Sequence, residues 1–370
     1  MTLLVYLISL LQFLTGTDDV SLVFAGDAMQ HERQIKAAAV SGGGHDYKAC
    51  FRHVADYVGS ADYAVVNLEC PLGGKPYAGY PCFSAPDEFA EALRDAGFDL
   101  FLQANNHCLD RRDKGLRRTL DRLDEMGIPH TGTFRNADDR KQRQVFLTTI
   151  KGIRFAFLNY TYGTNGIQPN GAVVNYIDKP QMRADIAAAR KQGAEMVVVC
   201  IHWGVEYKLI QNREQEQLAD FLVGEGVDMV IGGHPHVIQP MEIRRNAKTG
   251  KDVLVVYSLG NFISAMRTTD TRGGALVKVA VGRDGEGRPY LKGAEYKLVF
   301  VQQPNGNGNF ELIPADKTEL LRDDMKPYFR KFTENAYRIF DKFNVNVPED
   351  WKVPLKDVCP LVPADDKLAL

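Results

Sequence analysis

Side chains that bind divalent cations recur at the ends of apolar runs in this chain. Asp27 follows LVFAG, Glu69 follows YAVVNL, and Asn105, Asn106 and His107 follow LFLQA. His202 closes MVVVCIH, and DMVIGG leads into His234 and His236 with Pro235 between them. Imidazoles and carboxylates form mixed shells around Zn, Mn or Fe, and an Asn amide oxygen can join them. Two such ions clamp the attacking and leaving oxygens of a displacement and make a shared water more acidic. In that scheme Glu69 bridges, while Asp27, Asn106, His202, His234 and His236 ligate and His107 donates a proton. Singly, each residue has an ordinary alternative, such as Asp27 as a helix cap or Asn105-Asn106 as an Asx turn. The His-Pro-His after Gly-Gly is more telling. Glycines let the backbone pass close to a ligand, and Pro235 stiffens the spacing of the imidazoles.

These residues need a common platform. Buried strands of an α/β sheet read as continuous apolar runs, and ligands collect beyond their carboxyl ends. A sixth run, VLVVYS, leads to Gly260-Asn261. Helical patterns lie between the runs, at Asp113 to Met126, Gln181 to Gln192 and Asn212 to Val223, each stopped by a glycine. The later strands, 275–281 and 296–302, have no helix between them and are expected to be antiparallel. The expected fold class is therefore α/β, with two packed mixed sheets flanked by helices. After the loop Gln303 to Asn309, Lys317 to Phe343 reads as a helical extension whose aromatics pack on the main domain.

Bulk properties narrow the function. The chain has 370 residues, a formal net charge of -2 and 45% hydrophobic residues, as in ordinary globular proteins. No basic stripe suited to a nucleic-acid backbone stands out, so no nucleic-acid partner is expected. Leu3 to Leu14 form an uncharged apolar run, too short to span a membrane comfortably but suited to the core of a secretory signal. No Lys or Arg precedes it. Residues 1–17 are read as a signal-like segment, and the protein as exported, periplasmic or associated with the cell surface, or as cytoplasmic if the apolar run is instead a buried first strand. Cys70 and Cys82 flank a Gly/Pro-rich loop, and a disulfide between them would agree with export.

Several motifs then agree in order. GDAM at 26–29, VNLECPL at 66–72, ANNHCLDRRDKGLRRTLDRLDEMGI at 104–128, IHWGVEY at 201–207, GGHPHVIQ at 232–239 and YSLGNFIS at 257–264 resemble the bacterial capsule-synthesis CapA-type family. The resemblance implies a metallophosphoesterase-like αββα domain over residues 18–302, a C-terminal extension over 303–370, and a role in poly-γ-glutamate capsule production. From the wider calcineurin-like group it implies that Asp27 and His236 hold one metal, with Glu69 bridging, and that Asn106, His202 and His234 hold a second. His107 becomes the general acid. That wider group opens on Asp-x-His, whereas this chain reads Asp27-Ala28-Met29, with His31 the nearest imidazole, and Glu69 replaces the usual bridging Asp. One or two ions per chain are therefore expected, with the second position the more complete.

Glu206, four residues after His202, can orient that ring, act as a base or meet a substrate amine. Lys75, Tyr77, Asn105 and Asn261 are expected to contact substrate. The expected partners are an anionic polymer, or a phosphorylated or γ-glutamyl small substrate, and membrane-associated capsule-synthesis machinery. Two functions fit: a metal-activated hydrolase, or a non-catalytic module that binds metal or acidic polymer.

Overall fold

Two mixed sheets pack face to face in the computed structural model, which describes residues 19–349 apart from position 307. The signal-like segment lies outside the described residues. In the first sheet Val20–Ala28, Tyr63–Leu68, Leu100–Leu102 and His130–Thr131 run parallel. Gly273–Arg283, Pro289–Gln302 and Glu311–Pro314 extend it antiparallel on the other side, as expected for strands without helices between them. The short strand Asn261–Ile263 pairs with the end of Val20–Ala28. In the second sheet Ile153–Thr161, Met196–His202, Met229–Gly233 and Asp252–Leu259 are parallel. Phe146–Ile150 and Ile238–Arg245 close its edges antiparallel.

The layers follow from the apolar runs. Phe24, Val65, Leu100, Phe157, Val198, Met229, Val256 and Val277 fill the space between the sheets. Phe51, Phe89 and Leu93 cover the outer face of the first sheet, and Met182, Ile186, Leu218 and Leu222 that of the second. Burying one Leu or Phe contributes about 1.5–3 kcal/mol, so these layers can outweigh local strain at the rim where the strands end. The expected helices form at Arg112–Glu125, Lys179–Lys191 and Arg213–Gly224, the last two capped by Asp178 and Asn212.

Two differences from the sequence reading have clear causes. The strand Ile153–Thr161 was not expected, because Arg154 and Asn159 interrupt its apolar pattern; Asn159 is nevertheless buried, donating to the Cys200 carbonyl (3.2 Å). The terminal helix is shorter than expected, Lys326–Phe343, because Pro327 fits only its first turn. Residues before it form a single 3-10 turn, Thr318–Leu320. Phe332 and Phe340 pack inward against Phe300 and Tyr296, while Tyr328 stays half exposed. Cys70 and Cys82 are both free, which corrects the disulfide considered above. Cys70 is buried at a strand end with its thiol toward the Ala28 carbonyl, whereas Cys82 faces solvent.

One buried base gives a pH prediction. Burial, with the nearby Arg143 charge, holds His130 down to about 4, while Asp124 opposes them. Between that value and the usual 6.5 the unfolded chain binds a proton that the folded one excludes, so stability falls as pH drops through this window. The expected contribution is about 3 kcal/mol. Denaturant titrations at pH 7 and pH 4.5 check it: His130→Gln should flatten the dependence, and an equally steep one in the variant would contradict it.

Candidate metal centre

Strand ends from both sheets meet at one rim. Asp27 stands within the end of Val20–Ala28, Glu69 just past Tyr63–Leu68, and His202 ends its strand, with His234 and His236 just past Met229–Gly233. All five are 3% exposed or less. Glycine permits the approach of the two sheets, since a Cβ on Gly233 would lie 2.8 Å from Asp27 Oδ1. His234 and His236 both adopt left-handed backbone, at φ 98° and 57°. Non-glycine residues rarely sit there, at a cost of about 1–3 kcal/mol each, and such outliers cluster at functional sites.

The donor atoms fall into overlapping groups, each with its atoms within 4.8 Å of one another: Asp27, Glu69 and His236; Glu69, His202 and His234; and Glu206, His234 and His236. Glu69 Oε1 lies 3.4 Å from His202 Nε2 and 3.7 Å from His236 Nε2. Asp27 Oδ2 lies 3.3 Å from His236 Nδ1. Asn106 Oδ1 is 2.8 Å from His202 Nε2, so it adjoins the second group. Glu206 stands at the mouth, 41% exposed and 4.0 Å from His236.

The electrostatics sort these groups into two kinds. Burial works to raise the Asp27 carboxyl, but hydrogen bonding and charge from His236 and His202 outweigh it and hold it well below the usual range. Burial works against the His236 cation, yet Glu69 and Asp27 push that ring up to about 9. Burial and the Asp27 charge drive the Glu69 carboxyl well above its ordinary value. Burial lowers His202 to about 3, and burial with the neighbouring rings lowers His234 to about 2. The rim therefore favours one ion pair, Asp27–His236, beside two neutral imidazoles, the form in which imidazole binds metal.

The donors fit a cation on a further ground. Neither oxygen of Glu69 has a hydrogen-bond partner, and neither has His234 Nδ1, although all three atoms are buried. Buried polar atoms are almost always satisfied, and leaving one unsatisfied costs about 1–3 kcal/mol. A divalent ion among these donors would give the Glu69 carboxylate the partner it lacks.

His107 stands apart from these groups. Its Nδ1 is 2.8 Å from Asp110 Oδ2, and its ring packs edge-on to Phe83, 4.6 Å between centroids. Asp110 also accepts from the Phe83 N–H (2.7 Å), which fixes the carboxylate. An open cleft of about 430 Å³ runs past His107, Asn106, Asn165, Glu206, Tyr80 and Cys82.

The remaining expected residues are placed differently. Asn105 is spent inside, donating to Asn67 Oδ1 (3.1 Å) and the Leu68 carbonyl (2.9 Å). Asn261 is likewise buried, 3.1 Å from His236 Nδ1 and donating to the Thr271 carbonyl (3.0 Å), so it orients a ring instead of meeting substrate. Lys75 is exposed and leans over Tyr77, 5.9 Å from its ring, and Tyr77 packs on His45. That pair belongs to a neighbouring loop and not to the rim. His31 does not join the donor groups, because its Nδ1 faces Gln34 Oε1 (3.2 Å) and the Ala265 N–H (3.4 Å).

Sequence reasoning missed four contributors. Asn67 donates to Asp27 Oδ1 (2.8 Å), Asp110 holds His107, and Asn165 accepts from the Asn106 amide (3.3 Å). The Tyr162 ring lies 4.5 Å from that of His234. Asp110 was findable from its i, i+3 spacing to His107; Asn165 and Tyr162 follow the strand that was not expected.

Gly233→Ala is expected to displace Asp27, lowering stability by about 1–3 kcal/mol and weakening metal uptake. Thermal unfolding beside a metal titration checks it, and wild-type values for both would show that the approach of the sheets does not need glycine.

Fold and rim together describe a two-sheet α/β protein with a histidine–carboxylate centre at its strand ends. The profile of the family described as "Bacterial capsule synthesis protein PGA_cap" matches residues 21–266, and the chain belongs to that family. It is 30% identical over 282 residues to "Capsule biosynthesis protein CapA" of Bacillus anthracis, covering 72% of this chain and 65% of that protein, just under two thirds of it. It is 28% identical over 289 residues to "PGA biosynthesis protein CapA" of Bacillus subtilis (strain 168), covering 74% of this chain and 71% of that one. A 5'-nucleotidase precursor from Thermus thermophilus superposes with a TM-score of 0.46 at 16% identity, covering 86% of this chain and 59% of that chain. Nothing about activity follows from that likeness.

Proposed function

We propose that this chain is an exported, metal-dependent hydrolase that acts on phosphate, ester or amide bonds in the metabolism of poly-γ-glutamate or another cell-surface polymer. The observation that carries this reading is Glu69, fully buried among three histidines and Asp27 with neither oxygen hydrogen-bonded. Asp27, Glu69 and His236 would hold one divalent ion, and Glu69, His202, His234 and Asn106 a second, with Mn, Zn or Fe suiting this donor set. A bound ion would supply Lewis-acid polarisation of the reacting bond and a more acidic water. Asp110 takes the His107 Nδ1 side and orients the ring, so that Nε2 can pass a proton to a leaving group in the cleft. Glu206 at the mouth can meet a cationic group of the substrate or take a proton.

The names of the relatives support the polymer class, and the apolar run at residues 3–14 supports export. Membrane-associated synthesis machinery is the proposed partner. The test is a turnover screen of purified protein, metal-loaded and chelated, on phosphomonoester, phosphodiester and γ-glutamyl substrates. Turnover that chelation abolishes supports the proposal; stoichiometric metal with no turnover on any class overturns it. A second reading, a non-catalytic binding module, is favoured by Met29, buried where the wider group has a ligating histidine. Binding of the polymer without turnover would select it.

A further inference from the structure

We propose that Arg33 and Arg267, backed by the buried Arg272, form a subsite for the carboxylates of an extended polyanionic chain, flanking the candidate metal centre. The identity of that chain rests on the polymer reading above; the site itself rests on geometry. Arg33 donates to Gln303 Oε1 (2.9 Å), and Gln303 Nε2 donates to the Met266 carbonyl (2.9 Å). Arg272 Nε donates to the Arg267 carbonyl (2.9 Å), and its guanidinium lies 4.2 Å from the centroid of the Tyr328 ring. These links gather three guanidinium groups on one patch. Among the described residues none of the three has a carboxylate at ion-pair distance, whereas Arg118, Arg135, Arg190 and Arg283 all do.

Like charges gathered without a counter-ion oppose one another. Burial and then the Arg267 charge disfavour the cation at Arg33. Burial disfavours it at Arg272, where Tyr328 helps it and the charges of Arg267 and Arg33 oppose it. A planar guanidinium fork matches a carboxylate in two parallel bonds, so a row of carboxylates relieves this repulsion better than one small anion does.

The patch is joined to the rim. Asn261, beside His236, donates to the Thr271 carbonyl (3.0 Å) and to Met266 Sδ (3.4 Å). Residues 265–272 thus run from the edge of the metal centre to the arginines. A polymer held there would lie alongside the rim, with one unit available to the chemistry and its neighbours held by charge.

The test is fluorescence anisotropy of a labelled γ-linked glutamate oligomer with wild type, Arg33→Gln/Arg267→Gln and Arg272→Lys, with circular dichroism and thermal unfolding as fold controls. The first variant alters the less buried residues and leaves every candidate ligand in place. The expected result is at least about tenfold weaker binding in the double variant and a shallower dependence on salt. Equal affinity in a folded double variant overturns the subsite and leaves the hydrolase reading standing. No oligomer binding by wild type, with or without metal, overturns the subsite together with the polymer reading. Direct binding of inorganic phosphate that the double variant loses, without oligomer binding, also overturns the carboxylate assignment.

Discussion

Glu69→Gln is expected to abolish tight metal binding while leaving the metal-free fold intact. In the metal-free protein burial and Asp27 drive the Glu69 carboxyl well above its ordinary range, and glutamine is a near-isostere of glutamate. The amide keeps the shape of the carboxyl and removes a charge that burial disfavours, so the thermal midpoint without metal should barely move. Metal binding is another matter, because Glu69 belongs to two of the three donor groups. Loss of an outer-shell partner typically costs about 10–100-fold in affinity, and loss of a shared carboxylate is expected to cost more than about 100-fold. Raising the Glu69 carboxyl favours proton release on metal binding, so fewer protons should be released when the variant is offered metal. Competition with a chromophoric chelator, in weak and strong buffers, measures both quantities. Wild-type affinity in the variant would remove Glu69 from the centre.

The second large effect concerns His107. His107→Ala is expected to lower kcat by about 10²–10⁴-fold, the range of general acid–base catalysis, while the bound metal is retained. The separation follows from geometry: His107 belongs to none of the three donor groups, and its Nδ1 is taken by Asp110. Asp110→Asn should fall between wild type and His107→Ala in kcat with KM unchanged, because it disturbs a proton and not a binding contact. Elemental analysis beside steady-state kinetics checks the pair. Loss of metal in His107→Ala would make it a ligand, and full activity would make it a bystander.

Much of the rim was legible because of how parallel sheets are built. Asp27, Glu69, His202 and the His234–His236 pair each follow a run that is apolar on both faces, and such runs share one carboxyl edge. What escaped lies where a polar residue is buried for structural reasons. Asn159 breaks the pattern of its strand, yet it accepts from the Gln103 and Ala104 N–H groups and so ties the two sheets together. Missing that strand hid the loop that carries Tyr162 and Asn165. Asn105 and Asn261 were read as facing substrate because an Asn beside a site looks available. Only the fold shows that their amides are consumed by Asn67, Leu68, His236 and Thr271. Lys75 shows the converse, since closeness in sequence to a motif did not place it at the rim.

The left-handed backbone at His234 and His236 has a consequence for the order in which the protein is made ready. Ligands that sit in strained geometry do not assemble themselves; the sheets on either side assemble them. The cradle is thus expected to be finished by folding, with metal capture as a separate step that a metal-free unfolding curve can test. A chain built this way is expected to fold without metal and to take it up afterwards.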